Sequence, residues 1–191
     1  HVPQLGHDFV NGVCTRCGLS EADTPCDGGA HCPSARFTDV PTPSNWAHAG
    51  IDYAVSHSLF VGTSQTQFSP KGVMNRAMLV AVLWRMAGRP EPSTACPFQD
   101  VGPDTYYTKA VAWAAENGVV AGVSATRFDP AANITREQMA AILFRYAAKS
   151  GLDTSARGDT AAFPDRDRVA SYASDALRWC LAVGIISGSA E

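Results

Sequence analysis

One pattern recurs two and a half times along this 191-residue chain, and a chain made of copies must fold as copies. Phe37-Thr38-Asp39-Val40 returns as Phe98-Gln99-Asp100-Val101 and again as Phe163-Pro164-Asp165. An aromatic follows each: Trp46, Tyr106 and Tyr172. Each copy then runs through a helix-like stretch to Gly62, Gly122 or Gly188. The first two continue through Phe68-Ser69-Pro70 and Phe128-Asp129-Pro130 to Asn75-Arg76-Ala77 and Thr135-Arg136-Glu137. The third reaches Glu191 before its matching half. A period of roughly 60 residues makes the repeat, rather than one catalytic centre, the unit of function.

Read physically, each complete copy predicts two helices. In the second, Gly102-Pro103-Asp104 marks a turn, and a helix is expected from about Tyr106 to Asn117, with Val111, Ala114 and Ala115 on one face. Gly118 suits the left-handed residue that closes it. Thr135 followed three residues later by Gln138 fits a capping box. The helix it opens, Met139 to Tyr146, is apolar round most of its circumference and so should be buried on several sides. It should end near Lys149-Ser150-Gly151. In the first copy Asn75 replaces Thr135 as cap, and the apolar helix closes at Gly88-Arg89-Pro90. Ser58 stands where the other copies have Gly118 and Gly184. The expected organisation is a segment 1–36, repeats at 37–90 and 98–151, and a partial repeat at 163–191. The fold class is all-α, with the apolar second helices meeting in a central bundle.

Segment 1–36 is different in kind. It holds four of the six cysteines and lacks apolar periodicity, so burial alone cannot order it. His7, Cys14 and Cys17 offer three metal ligands, and Gly18 suits the turn after a Cys-x-x-Cys knuckle. A fourth comes from His1, Cys26, His31 or Cys32, and the working set is His7, Cys14, Cys17 and Cys26. The preferred reading is structural zinc. Disulfides are the alternative, since Cys26 and Cys32 could close a small loop. Cys180 lies in an apolar helical run and reads as buried and inert.

Composition excludes several functions. Net charge is −3, with 15 Lys+Arg against 18 Asp+Glu and no basic run, a poor surface for nucleic-acid phosphates. No apolar stretch approaches the ~18–20 residues of a membrane-spanning helix. No paired carboxylates, nucleophile elbow or phosphate loop suggest an enzyme. The sequence begins at His1 rather than Met, as expected of a processed or excised piece.

Residues 37–191 resemble the S-layer homology family. The motifs that carry the likeness are Phe-x-Asp-Val, the aromatic, the apolar helix, Gly118-Val119-Val120-Ala121-Gly122, Phe-x-Pro, and Ile134-Thr135-Arg136-Glu137. The resemblance implies a pseudo-threefold helical module on the outside of a Gram-positive cell, associated with the wall or S-layer. It implies anchoring through secondary cell-wall polysaccharide, often pyruvylated, bound in grooves between repeats. Segment 1–36 is similar to Cys/His-rich spacers that precede such repeats.

A pyruvate ketal fixes a carboxylate on a sugar. Arg76 and Arg136, each in the first turn of a helix, offer it a planar fork of donors. Trp46 and Tyr106 could stack on sugar faces, and Gly62 and Gly122 would let backbone amides approach a ligand. Asp39 and Asp100 complete the candidate ligand-binding set. Structural alternatives stay open: the aspartates as caps or turn formers, the aromatics as core, the arginines as salt-bridge partners of a neighbouring repeat. Met78 stands where the family's Thr-Arg-Ala-Glu pattern has its acidic residue, and the third copy lacks a matching arginine. At most two grooves are therefore expected, near Arg76 or Arg136. The third copy should expose an apolar surface, open to segment 1–36 or to self-association with a second chain. The competing function is a protein-spacing or protein-interaction array without glycan binding.

Overall fold

A computed structural model describes residues 9–11, 13–14, 32–161 and 163–187. Five α-helices form the described body: α1 His48–Ser56, α2 Arg76–Met86, α3 Thr108–Glu116, α4 Arg136–Lys149 and α5 Ser174–Ala182, with short 3-10 helices at Arg166–Arg168 and Ser171–Ala173. Strand is confined to an antiparallel pair of two-residue segments, β1 Phe9–Val10 and β2 Val13–Cys14. The class is all-α, as the periodicity predicts.

Local chemistry sets the helix ends. The Asn75 side chain accepts from the Met78 amide at 2.8 Å, opening α2. At α4 the expected capping box forms, with Gln138 N–H donating to Thr135 Oγ1 and Thr135 N–H donating to Gln138 Oε1. Helices α1, α3 and α5 close on left-handed residues at matching places in the three copies, Ser58 (φ 54°), Gly118 (φ 68°) and Gly184 (φ 75°). Glycine meets that requirement without steric cost, and Ser58 bears it.

Contacts divide the chain into two compact units, 1–72 and 73–191. In the first, Asp39 accepts from the Phe68 amide at 2.8 Å and the Ser69 amide at 2.7 Å, tying the start of the copy to its loop. Phe68 packs edge-on to Phe37 at 5.5 Å between ring centroids. The second unit repeats the device: Asp100 accepts from the Phe128 and Asp129 amides, both at 2.8 Å. Ser69 and Asp129, at equivalent positions, both have positive φ (62° and 59°). The paired carboxylate bonds hold the chain in that uncommon conformation.

The second unit is built across copies. Helix α2, from the end of the first copy, packs against α3 of the second, and α4 of the second packs against α5 of the third. One apolar core takes Leu79, Val80 and Leu83 from α2, Val111 and Trp113 from α3, Phe128 from the loop and Ile142 from α4. A second takes Ala140, Ala141 and Ala147 from α4 with Ala176, Trp179 and Cys180 from α5. Helix α4 therefore buries two faces, which explains an apolar pattern too wide for one stripe.

Candidate functional site

Helix α2 enters its junction with every first-turn polar group engaged. The amides of Arg76 and Ala77 donate to Ala132 O at 3.0 Å and Pro130 O at 3.1 Å. The Arg76 side chain is buried, at 5 % exposure. Its Nε donates to Phe128 O at 2.8 Å, its Nη2 to Ala121 O at 3.2 Å, and its guanidinium lies over the Phe128 ring, 4.6 Å from the centroid. Burial lowers the Arg76 pKa, partly offset by Asp129, Tyr172 and Asp100.

Helix α4 enters its junction open. Arg136 is exposed, and its side chain has no hydrogen-bond or ion-pair partner among the described residues. It lines a cleft of about 300 Å³ together with Glu137, Phe163, Asp165, Arg166, Arg168 and Leu177. Arg168 also keeps its side chain unpaired among the described residues. Arg166 donates to Ala161 O at 2.9 Å and lies 3.8 Å from Asp167. The amides of Arg136 and Glu137, unlike those of α2, find no carbonyl among the described residues. Glu137 is occupied, accepting from the Ala170 amide at 3.0 Å and the Tyr172 hydroxyl at 3.3 Å. Burial, then Glu137, raises the Tyr172 pKa. Three arginines line this cleft against two carboxylates, Glu137 and Asp165, and the helix-start amides of Arg136 and Glu137 are free among the described residues, a balance that suits an anion.

The remaining sequence-predicted residues fall into two groups. Asp39 and Asp100 hold backbone amides, as described. The bond from Phe68 leads in lowering the Asp39 pKa. For Asp100, burial pushes upward, but the amide bonds from Phe128, Asp129 and its own backbone, with Arg127, outweigh it and leave the pKa lowered. At Gly62 an added Cβ would lie 2.5 Å from the Phe37 ring, and at Gly122 it would collide with Arg127 O and Ser124 O. Both glycines serve close packing within their own copies. By contrast Trp46, Tyr106 and Tyr172 are 92 %, 56 % and 53 % exposed, so none of the three aromatics is core.

The zinc expectation falls largely outside the described residues: His7, Cys17 and Cys26 lie there, as do His1, His31 and Gly188, and of Cys14 only the backbone is described. Cys32 is described and is disulfide-bonded. It stands with His48 and Asp52 in a buried cluster able to hold a metal ion. Sequence reading missed His48 and Asp52. Their i, i+4 spacing on a helix was the available signal, and it lay outside the cysteine-rich segment. Cys180 is fully buried, and burial pushes its thiol up to about 11.

The profile of the S-layer homology domain matches residues 36–77 and 97–140, the two copies that carry Arg76 and Arg136. The chain belongs to the S-layer homology family. It is 30 % identical over 156 residues to the Surface-layer 125 kDa protein of Lysinibacillus sphaericus, covering 82 % of this chain and 13 % of that protein. It is 30 % identical over 155 residues to an Endoglucanase of Bacillus sp. (strain KSM-635), covering 81 % and 16 %, and 27 % identical over 156 residues to Exoglucanase XynX of Acetivibrio thermocellus, covering 81 % and 14 %. The chain thus spans less than a fifth of the length of these relatives. The S-layer homology repeat is a non-catalytic anchoring module of the cell surface and wall. No helix among the described residues is long and apolar enough to cross a membrane.

Proposed function

We propose that this S-layer homology chain anchors its parent protein by binding an acidic sugar of secondary cell-wall polysaccharide, such as a pyruvate ketal on a Gram-positive wall, in the cleft at the start of α4. The observation that carries this reading is the exposed Arg136, unpaired among the described residues, beside Arg166 and Arg168 in a cleft of about 300 Å³. A ketal carboxylate matches a planar guanidinium fork and the free amides of a helix start. Trp46, in the first unit, and Tyr106, in the second, are our candidates for stacking on sugar faces. We assign Arg76, Asp39, Asp100, Gly62 and Gly122 to the frame that shapes the repeats, because each already spends its polar groups or its space on intramolecular contacts. The chain itself acts without catalysis in this reading. Structural zinc is proposed on His7 with those of Cys14, Cys17 and Cys26 that are not the disulfide partner of Cys32. Exposed Leu152, Val183 and Ile185 are proposed to support self-association near the third copy.

Co-sedimentation with purified wall polymer, with and without its pyruvate groups, tests the central claim. Wild type should bind only the pyruvylated polymer, and Arg136→Ala should lose at least about tenfold in affinity, the equivalent of a charge-assisted bond. Equal binding by both proteins would return the repeats to a protein-spacing role.

A further inference from the structure

The cleft at the start of α4 is lined by more than its arginines. Five apolar side chains share it with Arg136, Arg166 and Arg168: Phe163, Val169, Leu177, Leu181 and Ile186. Leu177 and Leu181 are one turn apart on α5, so both leave the same face of the helix. All five are half-buried. Part of each is packed on the protein, and the rest is left to water or to a ligand.

This apolar lining is held from behind. Leu177 and Ile186 pack against the second core. The Ile186 amide donates to Cys180 O at 3.2 Å, which folds the chain after α5 back onto the helix. Leu181 is backed by the linker between the second and third copies. There the Gly158 amide donates to Arg178 O at 2.7 Å, and a Cβ added at Gly158 would lie 2.7 Å from Leu181 Cβ. Val169 precedes Ala170, whose amide donates to Glu137 Oε2 at 3.0 Å. The apolar surface is therefore formed before a ligand arrives, and binding spends little on ordering it.

An anion alone leaves that surface wet. Phosphate presents oxygens in every direction, so it gains the arginines and nothing from the leucines. A ligand that satisfies both linings carries an apolar group beside its charge. A cleft of about 300 Å³ is at the small end of ligand pockets and suits one substituted sugar rather than a length of polymer. On a sugar, the simplest group of this kind is a carboxylate whose α-carbon bears a methyl, as in a pyruvate ketal or a lactyl ether. Resting on the reading of this cleft as an acidic-sugar site, we propose that Phe163, Val169, Leu177, Leu181 and Ile186 are its specificity determinants. They select a methyl-bearing carboxylate over a uronic acid or a phosphate. The arginines take the carboxylate, and the apolar lining takes the methyl.

NMR titration of the full chain with small glycosides supplies the test. The probes are one sugar carrying a pyruvate ketal, a lactyl ether, the glyoxylate acetal that has hydrogen in place of the ketal methyl, or the uncharged methyl ester of the ketal. On the wild type the ketal should bind at least about fourfold more tightly than the acetal, the gain from burying one methyl-sized group. Leu177→Asn and Leu181→Asn should each bring that ratio toward one while leaving the acetal's own affinity within about twofold. The tighter of the two methyl-bearing acids identifies the natural source, and either order supports the proposal. Equal affinities of ketal and acetal on the wild type overturn it but leave the anion site standing, and that result depends on no variant folding. A ratio kept in both variants overturns it as well. If neither acid binds, or the ester binds as tightly as the acid, the acidic-sugar reading falls and the proposal falls with it.

Discussion

The two junctions of the second unit use the same parts and reach opposite states. Where α2 meets the second copy, Arg76 is sealed against Phe128 and every first-turn amide has a carbonyl. Where α4 meets the third copy, Arg136 faces a cleft and its amides have no such carbonyl among the described residues. The residues around the two arginines explain the difference. In the second copy Phe128 follows Asp100 by 28 residues, and the same offset from Asp165 falls past Glu191. The Phe128 carbonyl thus has no counterpart within this sequence, whereas Ala121, the residue before Gly122, corresponds to Ser187 before Gly188, which lines the cleft. Within the described residues Arg76 belongs to the frame and Arg136 faces the cleft.

The comparison is broken most forcefully at Phe128, which is fully buried between the guanidinium and the core. Phe128→Ala should cost about 3–5 kcal/mol in chemical denaturation. A loss under about 1 kcal/mol would mean the first junction is not sealed as described.

Next comes the arginine pair itself. Arg76→Ala removes two charge-assisted bonds, to the carbonyls of buried Phe128 and exposed Ala121, and should cost about 3 kcal/mol of stability. Arg136→Ala should change stability by no more than about 0.5 kcal/mol while weakening polymer binding. Equal stability losses in the two variants would erase the distinction between the junctions.

The caps should give a smaller, matched effect. Thr135→Ala and Asn75→Ala should each cost about 1 kcal/mol, since each removes an oxygen that accepts from the helix's third amide. Thermal melts of both would show whether the open junction starts its helix as firmly as the sealed one.

The smallest effect concerns acid. The Asp100 pKa is lowered on folding, so its contribution is present above the unfolded value of about 3.9 and is lost as pH falls through the lower folded value. Denaturant midpoints taken from about pH 5 downward should show less acid sensitivity in Asp100→Asn than in wild type. Identical acid profiles would remove Asp100 from the clamp on Phe128.

Much of the architecture was legible because the signals are local. The capping box at Thr135, the glycine ends at Gly118 and Gly184, and the burial of Cys180 all follow from residues a few positions apart. The candidate site was legible only in part. Arg76 and Arg136 look alike in sequence because the carbonyls that separate them, Phe128 O and Ala121 O, lie 45 to 52 residues away from Arg76. Arg166 and Arg168 gave no periodic or motif signal of their own. His48 and Asp52 drew no reading from sequence because Cys32, which lies against them, is 16 and 20 residues earlier.

The sequence by itself determined the repeat, the helical class, the caps and the family, because these rest on short-range periodicity and on backbone preferences written into single residues. Tertiary structure alone decided which arginine became frame and which stayed open to a ligand. Desolvation and hydrogen bonding at a guanidinium depend on what the next copy places over it, and no spacing within one copy encodes that.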